Sequence, residues 1–294
     1  MGTQSINAVP ARGLKAMSTH PANKVALKRM LGLMSTLHWK ARYPWLIRLL
    51  EKHEHCKMSA LCAILLREGG RQVFAGPFAG MTLPANIAVS GDPKYILGSY
   101  EEELHDVLNQ IICMAPAHII DIGAAGGYYA VGLAMKIANT TVTAFEAVEE
   151  PHWAQLAELA SSNGVSRKII QRGLCTADEL AKSCRPDSFI LCDCEGAEED
   201  ILQPLVTPAL ASCTMLVELH EFYRPAVVGT LIDRFRESHA IRIIDGSGRD
   251  PSRYLALKRF SSRWQSKAIE DVRWIQTSSR IVFAARYMLL TPKH

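Results

Sequence analysis

The chain has 294 residues, enough to bury a substantial core in one large domain or in one domain with a smaller one appended. With 48% hydrophobic and 21% charged residues it has the composition of a globular protein, which excludes a disordered or fibrous chain. The net charge of +4, from 33 basic against 29 acidic residues, is too small and too evenly spread to argue for a nucleic-acid groove or an anionic membrane surface.

No apolar run approaches the roughly 20 residues of a membrane span. Residues 1–24 lack the apolar core of a signal peptide, so a cytoplasmic location is expected. The eight cysteines are scattered and several lie in apolar stretches, as expected of free buried thiols in a reducing compartment. No C-x-x-C occurs. His53, His55 and Cys56 form the one metal-like local grouping, and residues two apart on a helix diverge.

Residues 1–20 read as a loose tail. Residues 21–94 read as a helical extension with short β pieces, a substrate or lid region, and residues 95–294 as the ligand-binding domain. From Pro21 to Glu68 apolar residues recur at three and four, predicting two or three amphipathic helices with a break at Pro44. Those helices offer a face for a homodimer. Gln72–Phe74 and Met81–Leu83 are β-like pieces around a Gly-Pro-Phe-Ala-Gly turn. Ser99 with Glu102 three residues later matches a capping box and predicts a helix through Leu104, Val107, Leu108 and Ile111.

Beyond it the chain alternates. Strands are expected at His118–Ile122, Thr141–Glu146, Lys168–Gln171, Ser188–Asp193, Met215–Leu219, Ala240–Ile244 and Arg280–Arg286. Helices are expected between most of them, at Gly127–Ile137, Pro151–Asn163, Ala197–Leu202 and Ala226–Ser238. That alternation predicts an α/β fold with a mostly parallel sheet covered on both faces. Residues 250–278 interrupt it and read as an insertion before the last strand.

In such a sheet, ligands sit beyond the carboxyl ends of the strands. The first strand runs into Asp121-Ile122-Gly123-Ala124-Ala125-Gly126-Gly127 and then a helix. Glycines permit a sharp turn and a close approach, and a helix N-terminus offers unpaired N–H groups. The spacing is G-x-x-G-G rather than G-x-G-x-x-G, which disfavours a dinucleotide clamp. Asp121, two residues before the first glycine, can organise the turn and meet the ammonium end of an amino-acid-bearing cofactor. Glu146 ends the second strand about 20 residues later, where a carboxylate can accept from both hydroxyls of an adenosine ribose.

The fourth strand ends in Asp193-Cys194-Glu195-Gly196. If it stays extended, Asp193 and Glu195 share one face and Cys192 and Cys194 the other. The fifth ends in Glu218-Leu219-His220, and His220 is a candidate general base with a helix-capping or backbone-bonded role as its alternative. Tyr100 and Glu101, before the first strand, are candidates to close over a cofactor, with a surface turn as the alternative.

Four motifs, Asp-Ile-Gly-Ala-Ala-Gly-Gly-Tyr-Tyr (121–129), Ala-Phe-Glu-Ala (144–147), Asp-Cys-Glu-Gly-Ala-Glu (193–198) and Val-Glu-Leu-His (217–220), resemble in order and spacing those of the FkbM-type class I methyltransferases. The resemblance covers roughly residues 95–220. It implies a Rossmann-like seven-stranded sheet of order 3-2-1-4-5-7-6 with a reversed terminal hairpin, helices on both faces, and S-adenosyl-L-methionine as cofactor. On it, Gly123 and Gly127 match the cofactor turn, Asp121 the acid before it and Glu146 the ribose acid. Ala124, Tyr128 and Ala147 lie in the same motifs and are expected beside the cofactor. Asp193 and Glu195 match the acidic motif facing methyl transfer, which with His220 makes the expected catalytic set. The family commonly has Asn and a bulkier residue where this chain has Ala125-Gly126, implying a looser turn.

The expected activity is O-methylation of a hydroxyl on a small metabolite or sugar. A nicotinamide-dependent oxidoreductase and a non-catalytic binding protein on the same fold are the alternatives. No metal ligand set is assigned; a divalent metal on Asp193, Glu195 and Glu218 is the secondary reading, motivated by hard oxygens clustered at strand ends.

Overall fold

His118–Ile122 (β1) is buried along its whole length and forms the middle of the sheet. The computed structural model describes residues 58–67, 69–85, 92–246, 249–269, 275–276, 281–282 and 285–293. The predicted helices before residue 58, with the homodimer face and the His53, His55 and Cys56 grouping, lie outside the described residues.

Beside β1 run Thr141–Phe145 (β2), Ile169–Arg172 (β3), Phe189–Cys192 (β4) and Thr214–Glu218 (β5). His239–Asp245 (β6) follows, and Ile275–Gln276 (β7) pairs with Ile281–Val282 (β8) outside the main sheet. Arg286–Pro292 (β9) completes a seven-stranded sheet of order β3-β2-β1-β4-β5-β9-β6. The first five strands are parallel, and β9 is antiparallel to both β5 and β6. With β9 as the seventh strand, the order is the one the family resemblance implies.

Apolar runs without alternation give strands buried on both faces, and the side chains divide by parity. Ile119, Ala144, Leu191 and Leu216 enter one core, while Ile120, Phe145, Ile190 and Val217 enter the other. Asp121 has the parity of Ile119, so its carboxylate points under the helix Tyr128–Lys136. Phe78 packs on that helix at Gly132, where an added Cβ would lie 2.6 Å from the ring. That contact explains a glycine kept in a helix interior at a propensity cost of about 1 kcal/mol. The Asn163 side chain pairs with Thr82 in the manner of a strand, accepting from its N–H at 2.8 Å and donating to its carbonyl at 2.9 Å. Residues 58–67 and 69–85 therefore share the core of the sheet; Leu61, Leu65, Phe78 and Met81 are enclosed there.

Several expectations are corrected. The last sheet strand is Arg286–Pro292, not Arg280–Arg286: Tyr287, Met288 and Leu290 are buried between β5 and β6, and pairing with those two strands selects this stretch over the equally apolar one before it. Ser99 caps no helix. Glu101 has φ +46°, which breaks the chain there, and a 3-10 turn at Glu102–Leu104 leads into the helix His105–Met114. The Ser99 hydroxyl is buried and unbonded among the described residues. The segment 193–195 is not extended, because β4 ends at Cys192 and Glu195 has φ +55°. The predicted β pieces near residue 75 are a single antiparallel bridge, Gln72 to Thr82. Three α-helices carry no expectation from the sequence: Pro93–Leu97 capped by Asp92, Ala177–Ser183 capped by Thr176, and Ser262–Ile269.

Candidate functional site

The turn after β1 is built from three left-handed residues, Gly123 (φ +84°), Ala125 (φ +44°) and Gly127 (φ +86°). The N–H groups of Gly123 and Ala124 both donate to the Phe145 carbonyl at 2.9 Å, tying the turn to the end of β2. The glycines are required by protein neighbours. A Cβ on Gly123 would lie 1.7 Å from the Asp193 carbonyl oxygen, and one on Gly127 would lie 2.6 Å from Leu156. Ala124 is buried and Ala125 exposed. The turn is thus a point where the loops after β1, β2 and β4 meet.

Glu146 is 8% exposed and its carboxylate is oriented by backbone donors. Oε2 accepts from Ala125 N–H and Oε1 from Val148 N–H, each at 2.7 Å, with His152 Nδ1 3.4 Å from Oε1. Each oxygen keeps a second lone pair for a ligand hydroxyl. Ala147 is exposed beside it.

Asp121 is 1% exposed, and neither of its oxygens has a hydrogen-bond partner among the described residues. Burial pushes its pKa up to about 7; the Ala130 backbone N–H, close to the carboxylate but outside hydrogen-bond geometry, opposes this, and the nearby Glu146 charge adds to it. Ionising a carboxyl so little bonded and so deeply buried is costly, which is what raises its pKa.

Beside the turn stands a cluster of rings. Tyr100 stacks on Tyr95 at 4.8 Å and meets Tyr128 edge-on at 5.4 Å, and Phe78 meets Tyr128 edge-on at 5.3 Å. Glu101 is 2% exposed and its carboxylate accepts from the Tyr129 hydroxyl. Burial and the Glu101 charge drive the Tyr129 hydroxyl well above its ordinary pKa, so it stays a donor. A small cavity of about 10 Å³, room for roughly one water, lies between these groups and the strand ends, lined by Glu101, Tyr129, Asp193, Glu218 and Tyr287 among others.

At the ends of β4 and β5, His220 gathers three carboxylates. Nδ1 lies 2.6 Å from Oε1 of Glu198, a fully buried side chain that also accepts from Gly196 N–H at 3.1 Å. Nε2 lies 3.6 Å from Asp193 Oδ1 and 3.5 Å from Glu195 Oε2. Burial alone would lower the His220 pKa; the hydrogen bond and charge of Glu198, with Glu218 and Asp193, outweigh it and raise it. For Glu198, burial works to raise the pKa, and the His220 and backbone hydrogen bonds overcome it to leave a net lowering. Asp193 and Glu195 thus meet on one side, as expected from the sequence, through a turn rather than a strand. The secondary metal set is altered, because the ligand atoms that converge belong to Asp193, Glu195 and His220.

Two features have no counterpart among the expectations from sequence. Glu198 lies in the motif 193–198 with no role assigned to it there, its one signal being a spacing of two from Gly196. The other is a clamp across the site's rim: Arg249 donates to Glu103 at 2.9 Å, Tyr254 donates to Glu102 at 3.0 Å, and Arg253 pairs with Glu102. No local pattern announces contacts about 150 residues apart.

Among the described residues, no helix is long and apolar enough to cross a membrane. No family model matches the chain, and no curated protein matches it. Solved structures are similar to it. One is an O-methyltransferase from Bacillus cereus in complex with SAH, at 12% identity and TM-score 0.41 over 82% of this chain and 91% of that one. Another is the O-methyltransferase TomG from Streptomyces achromogenes, involved in tomaymycin synthesis and solved with SAM, at 14% identity and TM-score 0.41 over 81% and 90%. A third is a precorrin-6y C5,15-methyltransferase from Geobacter metallireducens, at 12% identity and TM-score 0.38 over 63% and 87%.

Proposed function

We propose that this chain is an S-adenosylmethionine-dependent methyltransferase acting on a hydroxyl of a small metabolite or sugar. The observation that carries the reading is Asp121, a buried carboxylate with both oxygens unpartnered among the described residues, set beneath a glycine turn at the end of the central strand. An ammonium group nearby satisfies it in a way that a pyrophosphate, itself anionic, does not. Glu146, held by two backbone donors, would accept from ribose hydroxyls. When bound, the cofactor supplies a methyl group already activated on sulfonium sulfur.

The chain's remaining task is to place an acceptor and manage its proton. Tyr100 and Glu101 wall the approach beside Tyr128 and Tyr129, and Asp193, Glu195 and His220 form the polar end where the acceptor hydroxyl is ionised. The strand order also separates this reading from a nicotinamide-dependent oxidoreductase. The dinucleotide fold continues its sheet with a sixth parallel strand, whereas here antiparallel β9 is inserted between β5 and β6. Isothermal titration of the full chain tests the proposal. Binding of S-adenosylhomocysteine without binding of NAD supports it; binding of NAD alone, or of neither, overturns it.

A further inference from the structure

Cys184 and Cys213 flank β4 in the chain, 29 positions apart, yet their sulfurs lie within 3.6 Å of each other. We propose that these two thiols are a reversible disulfide site, oxidised by hydrogen peroxide at Cys184 and closed by Cys213. Both stand just outside regular structure, in extended backbone that follows the helix Ala177–Ser183 and the 3-10 turn Pro208–Ser212. A disulfide bond is about 2.05 Å long, so each sulfur has to move by less than about 1 Å. That shift falls on side chains and connecting segments rather than on a helix or strand interior. Among the described residues Cys192 and Cys194 also stand 3.6 Å apart. Only Asp193 separates them and Cys192 is fully enclosed, so a bond there would join no distant segments.

The surroundings of the two sulfurs divide the work between them. Cys184 is half-buried, whereas Cys213 has no exposed surface. Cys213 Sγ lies 3.1 Å from the Ala209 carbonyl oxygen and 3.3 Å from that of Arg185, a setting that favours a thiol and repels a thiolate. Cys184 Sγ has the Arg185 carbonyl oxygen only at 3.8 Å. The hydrogen bond from Cys213 lowers the Cys184 pKa against the opposing effect of burial; the same bond raises that of Cys213, and burial adds to it. An accessible sulfur that ionises readily is the one that reacts. The Cys184 thiolate attacks a peroxide oxygen, the O–O bond breaks, and hydroxide leaves to take a proton from solvent, so Cys184 becomes a sulfenic acid. The Cys213 sulfur then attacks the Cys184 sulfur, its proton leaves with the hydroxyl as water, and the S–S bond forms. The two thiols have lost two electrons and the peroxide has gained them. The bond closes a loop that contains β4, Asp193, Glu195 and Glu198, from the amino ends of β4 and β5, opposite the glycine turn. A dithiol reductant reverses it by exchange.

Hydrogen peroxide is the probe, added to reduced full-length protein whose remaining thiols are then alkylated before digestion without reductant and mass spectrometry. The expected product is a pair of peptides joined through Cys184 and Cys213 and separated again by dithiothreitol. Cys213→Ser should stop at a sulfenic acid on Cys184, which dimedone traps, and Cys184→Ser should leave Cys213 as a free thiol. Because the closed loop spans 29 positions, the oxidised wild type should melt about 5 to 10 °C above the reduced one. Full alkylation of both cysteines after peroxide treatment overturns the proposal, as does a bond to another cysteine or between two chains. Dimedone-trapped Cys213 in Cys184→Ser overturns the assignment of the reacting sulfur. An oxidised protein that melts below the reduced one shows that the bond strains the fold, and overturns the site as well. The wild-type peptide map needs neither variant to fold, so it decides by itself if either one precipitates.

Discussion

His220 Nδ1 and Glu198 Oε1 are 2.6 Å apart, and the carboxylate has no exposed surface. The pair joins the end of β5 to the first turn of the helix Glu198–Ile201, so it sets both the ring orientation of His220 and the path of the loop carrying Asp193 and Glu195. Replacing Glu198 by Gln keeps the shape and removes the charge. A buried hydrogen bond to a charged partner contributes roughly 1.5 to 3 kcal/mol, and Glu198→Gln should lose about 2 kcal/mol in urea unfolding. A loss under about 0.5 kcal/mol would show that the pair carries no structural weight.

Asp121 makes a prediction with a definite pH sign. Its ordinary pKa is 3.8, and burial raises it to about 7 in the folded chain. The folded state therefore holds this proton more tightly than the unfolded state. Relative to a residue that cannot ionise, stability is fully present below pH 3.8, falls as pH rises, and reaches its floor above about 7. Asp121→Asn should accordingly raise the melting temperature of the ligand-free protein at pH 8. The relief there is worth a few kcal/mol, since each tenfold difference in proton affinity between the two states corresponds to about 1.36 kcal/mol. At pH 4 the two proteins should melt nearly together. The same variant should bind S-adenosylhomocysteine about tenfold or more weakly, since it loses a charge-assisted contact. A variant less stable than wild type at pH 8 refutes the unpaired-charge account.

The sheet was legible because burial on both faces leaves uninterrupted apolar runs, and a polar residue stands within one position of the carboxyl end of each of β1, β2, β4 and β5: Asp121, Glu146, Asp193 and Glu218. Glu146 and Asp193 could be placed from that rule alone. Ser99 misled because a capping box is a four-residue pattern, and it is overridden by the left-handed turn at Glu101, which the Tyr129 hydroxyl and the surrounding rings hold in place. The last strand was misplaced because residues 280–286 and 286–292 are both apolar, and only pairing with β5 and β6 chooses between them. Glu198 was invisible as a partner because its role depends on His220, 22 residues later and on another strand's end.

The glycine turn allows a matched pair of substitutions with opposite signs. Ala125 is an exposed residue held at φ +44°, a conformation costing an ordinary L residue about 1 kcal/mol or more. Ala125→Asn, which supplies the residue type found there in the resembling family, keeps the N–H donated to Glu146 and relieves that cost. It should raise the melting temperature by about 2 to 4 °C. Gly123→Ala should do the reverse, because the new Cβ would sit 1.7 Å from the Asp193 carbonyl and the backbone is at φ +84°. Loss of soluble folded protein, or at least about 3 kcal/mol, is expected. If calorimetry ranks the two variants the other way, the turn is not arranged as described.

Arg249 decides whether residues 249–269 are a fixed part of the site or a detachable insertion. Its guanidinium donates to Glu103 at 2.9 Å and to the carbonyl oxygens of Ser99 and Ile269 at 3.0 and 3.4 Å, so three separate segments meet on one side chain. The Arg249 and Glu103 side chains are only 6% and 5% exposed, so water cannot screen the carboxylate if its partner is removed. Arg249→Met should therefore cost roughly 3 to 5 kcal/mol, the penalty of a buried charge left alone. Adding Glu103→Gln to that variant removes the stranded charge and should restore part of the loss, a coupling that a purely steric role for Arg249 does not produce. The exposed pair Arg224–Asp200, with side chains 48% and 63% exposed, is the internal control, and Arg224→Ala should change stability by less than about 1 kcal/mol. Limited proteolysis gives the second reading. Cleavage within 249–269 should accelerate in Arg249→Met before the sheet unfolds, because the variant loses both Arg249 contacts to residues 99–103 and leaves only those of Arg253 and Tyr254 to Glu102. Equal cleavage rates in both proteins would mean that Tyr254 and Leu257, buried in the same core, suffice to hold it.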